Sequence, residues 1–119
     1  MKSNYQKLVV WKKSFELAKG IYENTKNFPK EELFRLVSQM RRCAISIPSN
    51  IAEGAGRDSK KEFSRFLCIA PGSCNELETQ LLMASELGYL NTTSKKELLE
   101  NCIEILKMLS TLIQKNSKL

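Results

Sequence analysis

Four carboxylates, Glu53, Asp58, Glu76 and Glu78, are the residues best able to support a reaction. A hard divalent metal held by such oxygens could cleave a phosphodiester. The spacing argues against it. Glu76 and Glu78 lie two residues apart, so on a helix they point to different faces and cannot form a tight acid–base pair. Histidine is absent, which removes the commonest general base and transition-metal ligand. The cysteines, Cys43, Cys68, Cys74 and Cys102, show no CxxC spacing and each falls within a helical pattern. They read as small buried hydrophobes. No P-loop, dinucleotide fingerprint, zinc-finger spacing or nucleophile elbow occurs. The sequence therefore assigns no catalytic residue, no metal ligand and no cofactor.

Binding chemistry is better represented. The net charge is +6, and all five arginines fall between Arg35 and Arg65. The first 68 residues hold the excess: 14 basic and seven acidic groups, against five and six in the remainder. A basic half of this kind attracts polyanions. Arg57, Lys60, Lys61 and Arg65, with Arg41 and Arg42 preceding them, are the candidate phosphate contacts. Lys60 and Lys61 sit where a helix should begin, and backbone amides there also favour anions. Arg35, Arg42, Ser46, Ser49 and Glu53 project to one polar face, suited to phosphates or a partner helix. Glu76 and Glu78 are expected to form salt bridges with the arginines of the second helix.

Four helices must position these groups. The first is expected over about 5–27, with Leu8, Trp11, Phe15, Ala18, Tyr22 and Thr25 as its core stripe. The second, about 30–55, starts after Pro29 with Glu31 and Glu32 in its first turn. Pro48 inside it predicts a kink. The third, about 59–87, opens on the capping box Ser59-Lys60-Lys61-Glu62. Pro71-Gly72 predicts a distortion and Gly88 a C-terminal cap. The fourth, about 94–115, opens on Ser94-Lys95-Lys96-Glu97. No strand-like alternation competes. The expected architecture is all-α, an antiparallel up-down four-helix bundle forming one domain over 1–119. With 42 % apolar and 27 % charged residues the composition is that of a globular chain. No apolar run approaches the roughly 18 residues of a membrane span, and the first residues lack the apolar core of a secretory signal. A cytoplasmic protein without membrane contact is the expectation.

More apolar surface is present than one bundle core needs. Val10, Leu17 and Ile21 form a second stripe on the first helix. Ile45 and Ala52 lie to one side of the second helix, and Ile69, Met83 and Leu87 to one side of the third. Val10, Leu17, Ile21, Ile45, Ala52, Ile69 and Met83 are the candidate homo-oligomer interface.

Several stretches together resemble the four-helix-bundle proteins encoded by intervening sequences in bacterial 23S ribosomal RNA genes. They are Leu8-Val9-Val10-Trp11-Lys12-Lys13, Phe28-Pro29-Lys30-Glu31-Glu32, the block from Arg41 to Gly54 containing Ile47-Pro48-Ser49-Asn50-Ile51-Ala52-Glu53-Gly54, Ser59-Lys60-Lys61-Glu62-Phe63, and Glu76-Leu77-Glu78-Thr79-Gln80-Leu81. The resemblance implies a four-helix bundle assembled as a homopentamer. The wider family includes the accessory variability determinant of diversity-generating retroelements, a basic pentamer that binds nucleic acid and a reverse transcriptase. Pro71 departs from the family pattern, which commonly has a basic or large apolar residue there. Three readings follow: a non-enzymatic oligomeric basic scaffold for RNA or DNA; a protein–protein scaffold without nucleic acid; and, ranked last, a metal-dependent nuclease using Glu53, Asp58, Glu76 and Glu78.

Overall fold

The computed structural model describes residues 4–117, and all regular structure in them is helical. After a 3₁₀ turn at Tyr5–Lys7 come α1 (Val9–Thr25), a 3₁₀ turn at Lys30–Glu32, a π turn at Leu33–Val37, α2 (Ser38–Ala55), α3 (Lys60–Leu67), α4 (Ala70–Glu86) and α5 (Thr92–Ser117). α1 packs on α2 and α5, and α4 on α2 and α5, so the helices form a four-cornered, antiparallel bundle with α3 continuing the α4 corner. It measures 47 × 22 × 20 Å. No helix among the described residues is long and apolar enough to cross a membrane.

The core stripe of α1 is rotated from the expected one: Ala18 and Thr25 are buried as expected and Leu8 packs against the core, but the centre of the stripe has moved to Val10, Leu17 and Ile21. Val10, Ser14, Leu17, Ala18, Ile21 and Thr25 are buried, whereas Phe15 and Tyr22 are exposed and Trp11 half-buried. Val10, Leu17 and Ile21 are therefore packed inside this chain's own core and have no surface to offer a second copy. Their stripe can turn inward because its polar members bond to their own helix: the Ser14 hydroxyl donates to Trp11 O and the Thr25 hydroxyl to Ile21 O.

α2 runs through Pro48 without a break. The proline removes the donor that Ala44 O would receive. Nearby side chains bond to the same stretch of backbone: the Ser46 hydroxyl donates to Cys43 O and Asn50 Nδ2 to Ser46 O. The irregularity lies upstream, in the π turn, where Phe34 leaves helical geometry (φ −98°, ψ 15°) and stands 88 % exposed.

The expected third helix is two helices. The chain turns at Cys68–Ile69, and Pro71 sits in the first turn of α4, where its missing N–H costs nothing. The turn lets α3 lie on the end of α2. There a Cβ on Gly54 would meet Phe66 Cβ at 2.8 Å and Phe63 O at 3.1 Å, so only glycine permits this approach. α4 ends in a Schellman turn at Gly88 (φ 80°), with Tyr89 N donating to Ala84 O. α5 starts earlier than its Ser-Lys-Lys-Glu motif suggests. Asn91 Oδ1 accepts from Ser94 N, so asparagine is the cap and Ser94 lies inside the helix.

Candidate nucleic-acid interface

Basic residues gather where α2 ends and α3 begins. The Ser59 hydroxyl accepts from Glu62 N and starts α3. The Glu62 side chain does not complete the box; it binds Arg65 through both oxygens, at 3.2 and 3.3 Å. Arg65 beside it holds the Glu62 carboxyl below its usual range. Arg57 bonds Glu53 at 2.7 Å. Both guanidiniums also lie over Phe66, at 4.9 Å for Arg57 and 4.7 Å for Arg65. One ring thus gathers the two arginines, and two carboxylates orient them.

Lys60 and Lys61 carry no ion pair with any described residue. They border a groove of about 340 Å³, with Ser64 and Arg65 from α3, Cys68 from the turn after it, and Asn116 and Ser117 from α5. Asn116 Nδ2 donates to Lys60 O at 2.8 Å and ties the end of α5 to the start of α3. The groove is open to solvent, bordered by lysine and arginine and walled largely by apolar atoms.

The six expected phosphate contacts do not form one cluster. Arg57, Lys60, Lys61 and Arg65 share the α3 end. Arg41 and Arg42 stand some sixteen residues earlier in sequence, about 24 Å away along α2. Arg41 is also occupied. Its Nε donates to Thr25 Oγ1 at 3.0 Å, its Nη2 to Tyr22 O, and its guanidinium lies 4.7 Å over the Tyr22 ring, which makes it a clasp between α1 and α2. Arg42 is exposed.

The carboxylates do not assemble either. Glu53 is held by Arg57, and neither Glu76 nor Glu78 forms the expected salt bridge with an α2 arginine. Among the described residues no three His, Cys, Asp or Glu side chains gather. Cys43, Cys74 and Cys102 are buried and Cys68 is exposed on the groove, against the expectation of four buried thiols. Burial pushes the thiols of Cys74 and Cys102 up to about 12, so both stay protonated and inert as nucleophiles. Sequence patterns missed Phe66 as the arginine platform, and they missed Asn116. The platform could have been sought in the spacing of Arg65 and Phe66 after the Ser59 cap; the reach of Asn116 leaves no local signal.

The apolar candidates on the remaining helices stand outside. Ile45, Ile69 and Met83 are exposed and Ala52 half-buried. Arg41 marks the flank of α2 that faces α1, and Ile45 and Ala52 share it at helical spacing. Tyr22 marks the matching flank of α1, shared by Trp11 and Phe15. Trp11 stacks on Phe15 at 5.0 Å and meets Tyr5 edge-on at 5.3 Å. The α1–α2 side therefore carries several aromatic residues, with Tyr5, Trp11 and Phe15 in contact and Tyr22 beneath Arg41.

The profile of the 23S rRNA-intervening sequence protein family matches residues 6–111. A crystal structure of a protein of unknown function from Bacteroides thetaiotaomicron, assigned to the S23 ribosomal protein family, is similar at 30 % identity. The TM-score is 0.82, over 89 % of this chain and 96 % of that one. Among curated proteins no match is found. On this match over most of its length and this shared fold, the chain belongs to the 23S rRNA-intervening sequence protein family.

Proposed function

We propose that the protein is a non-enzymatic scaffold, assembled from several copies, that holds RNA or other nucleic acid by its phosphates. The family resemblance suggests five copies. The observation that carries this reading is the convergence of Lys60, Lys61 and Arg65 on one open groove at one end of the bundle, with Arg57 beside Arg65 over the Phe66 ring. The chemistry suits phosphate rather than bases. Phe66, the aromatic ring at the centre of the cluster, has Arg57 and Arg65 over it and little face left for stacking. Four cations offset by Glu53, Asp58 and Glu62 leave a net charge near +1 per copy. One copy alone would bind weakly; a ring presenting the same end several times gains by multivalency.

The test is affinity for a structured RNA titrated across salt concentrations. A log–log slope of about −3 or steeper is expected, as for several neutralised phosphates. Joint Lys60→Glu and Lys61→Glu substitution should weaken binding more than tenfold and flatten that slope. Absence of binding at low salt sinks the reading. A second reading, a protein-docking scaffold without nucleic acid, draws support from the arginines being paired already with Glu53 and Glu62. It expects the charge reversal to change nothing.

A further inference from the structure

The groove between α3 and the end of α5 holds a surface that phosphate contacts alone do not use. Its walls are largely apolar, yet among the described residues none that lines it is valine, leucine, isoleucine or aromatic. The apolar atoms are the carbon stems of Lys60, Lys61 and Arg65, the Cβ atoms of their neighbours and the Cys68 sulfur. Lysine and arginine often lie this way, with the stem along a surface and the charged head in water. The heads form the rim, and the stems form the sides of a space of about 340 Å³. Few polar groups enter it. Asn116 Nδ2 donates to Lys60 O, which fixes the amide and leaves Oδ1 as an acceptor. Ser64 adds a hydroxyl. A concave, apolar-walled space with a few polar groups is the composition of a small-ligand site, and its size falls at the lower end of the range for such sites, about 300–1,000 Å³.

A phosphate gains from the ammonium heads and loses hydration against an apolar wall, so it belongs at the rim. A continuous duplex cannot fill the space either, because its bases are stacked and present only their edges. The Phe66 ring, where a base might otherwise stack, lies under Arg57 and Arg65. A flat ring carried on an anionic backbone matches both the walls and the rim. We propose that the groove receives the base of one unpaired nucleotide, while Lys60, Lys61 and Arg65 hold the phosphates on either side of it. This rests on the reading that this end of the bundle binds nucleic acid, and it names the class: single-stranded tails, loops or bulges rather than continuous duplex. Lys60 and Lys61 carry no ion pair with any described residue, so their heads are available to phosphate. The base lies against the stems, and Asn116 Oδ1 and the Ser64 hydroxyl serve its polar edge. Contact through the ring face tolerates any base.

Cys68 reports whether the groove is filled. It is exposed and lines the groove, whereas Cys43, Cys74 and Cys102 are buried. N-ethylmaleimide, a neutral alkylating reagent, should therefore modify Cys68 first, with the rate followed by mass spectrometry. Two RNA hairpins with single-stranded tails are compared. They are identical in every phosphate, and one carries its tail bases while the other has an abasic tail. Both should bind, with parallel loss of affinity as salt rises, because they present the same phosphates. The hairpin with tail bases should bind about tenfold more tightly, as one stacked base contributes. At saturation it should slow alkylation of Cys68 at least tenfold, and the abasic hairpin should leave the rate nearly unchanged. Equal affinity for the two hairpins overturns the inference and leaves the phosphate reading standing. So do equal alkylation rates in the two saturated complexes, which would place the base elsewhere. Failure of both hairpins to bind at low salt overturns the phosphate reading itself, and this inference with it.

Discussion

Two apolar stripes run along α1, and they have opposite fates. Val10, Leu17 and Ile21 are sealed against the other helices, Ile21 completely. Trp11, Phe15 and Tyr22, the larger side chains, lie toward the outside flank, with Phe15 44 % exposed and Trp11 half-buried. Size does not choose the inner stripe; aliphatic character and fit do. The small side chains of Ser14, Ala18 and Thr25 let α1 approach its neighbours closely, where a row of aromatic rings would hold it off. The outer stripe is then left as a surface whose chemistry suits docking.

The largest test of this contrast is to shorten a residue of the inner stripe. Ile21→Ala opens a cavity in a site with no exposure and should cost about 2–5 kcal/mol, read as a lower urea midpoint at fixed protein concentration. A loss below about 1 kcal/mol would mean that the inner stripe is not the core.

Arg41 separates the two stripes, and its effect should be intermediate. Its guanidinium meets Thr25 from the buried stripe and Tyr22 from the exposed one. Arg41→Ala removes a charge-assisted bond and leaves the Thr25 oxygen without its inter-helix partner. A cost of about 1–3 kcal/mol is expected. If Arg41 instead serves mainly as a phosphate contact, the same variant would lose RNA affinity while its urea midpoint stayed unchanged.

Much of the fold was legible in the sequence because helix signals are local. The Ser59 cap, the glycine at position 88 and the apolar periodicity of α2, α4 and α5 each depend on residues within one or two turns. The failures have a common physical form. Ser14 made the true core stripe of α1 look polar, because periodicity cannot register that a hydroxyl bonds back to its own helix. Ser94 matched a capping pattern, but Asn91 lies three residues earlier and caps equally well, giving a longer helix. The break at Cys68 follows from α3 seating on Gly54, a contact between segments that no local window covers. The site divides in the same way. Lys60, Lys61 and Arg65 are close in sequence and stay together, whereas Arg41 and Arg42 were grouped by charge alone and the helix carries them to the far part of the molecule.

The smallest predicted effect concerns the charged flank of α1. Lys13 pairs with Glu104 of α5 at 3.1 Å, but their side chains are 41 % and 51 % exposed. Water screens such a pair, and ordering two long side chains offsets much of the attraction. Lys13→Ala should therefore shift stability by no more than about 1 kcal/mol, and less as salt is added. A loss of about 2 kcal/mol or more, read as a lower urea midpoint, would mean that the pair is shielded from water and that this flank of α1 is part of the packed structure rather than a solvated surface.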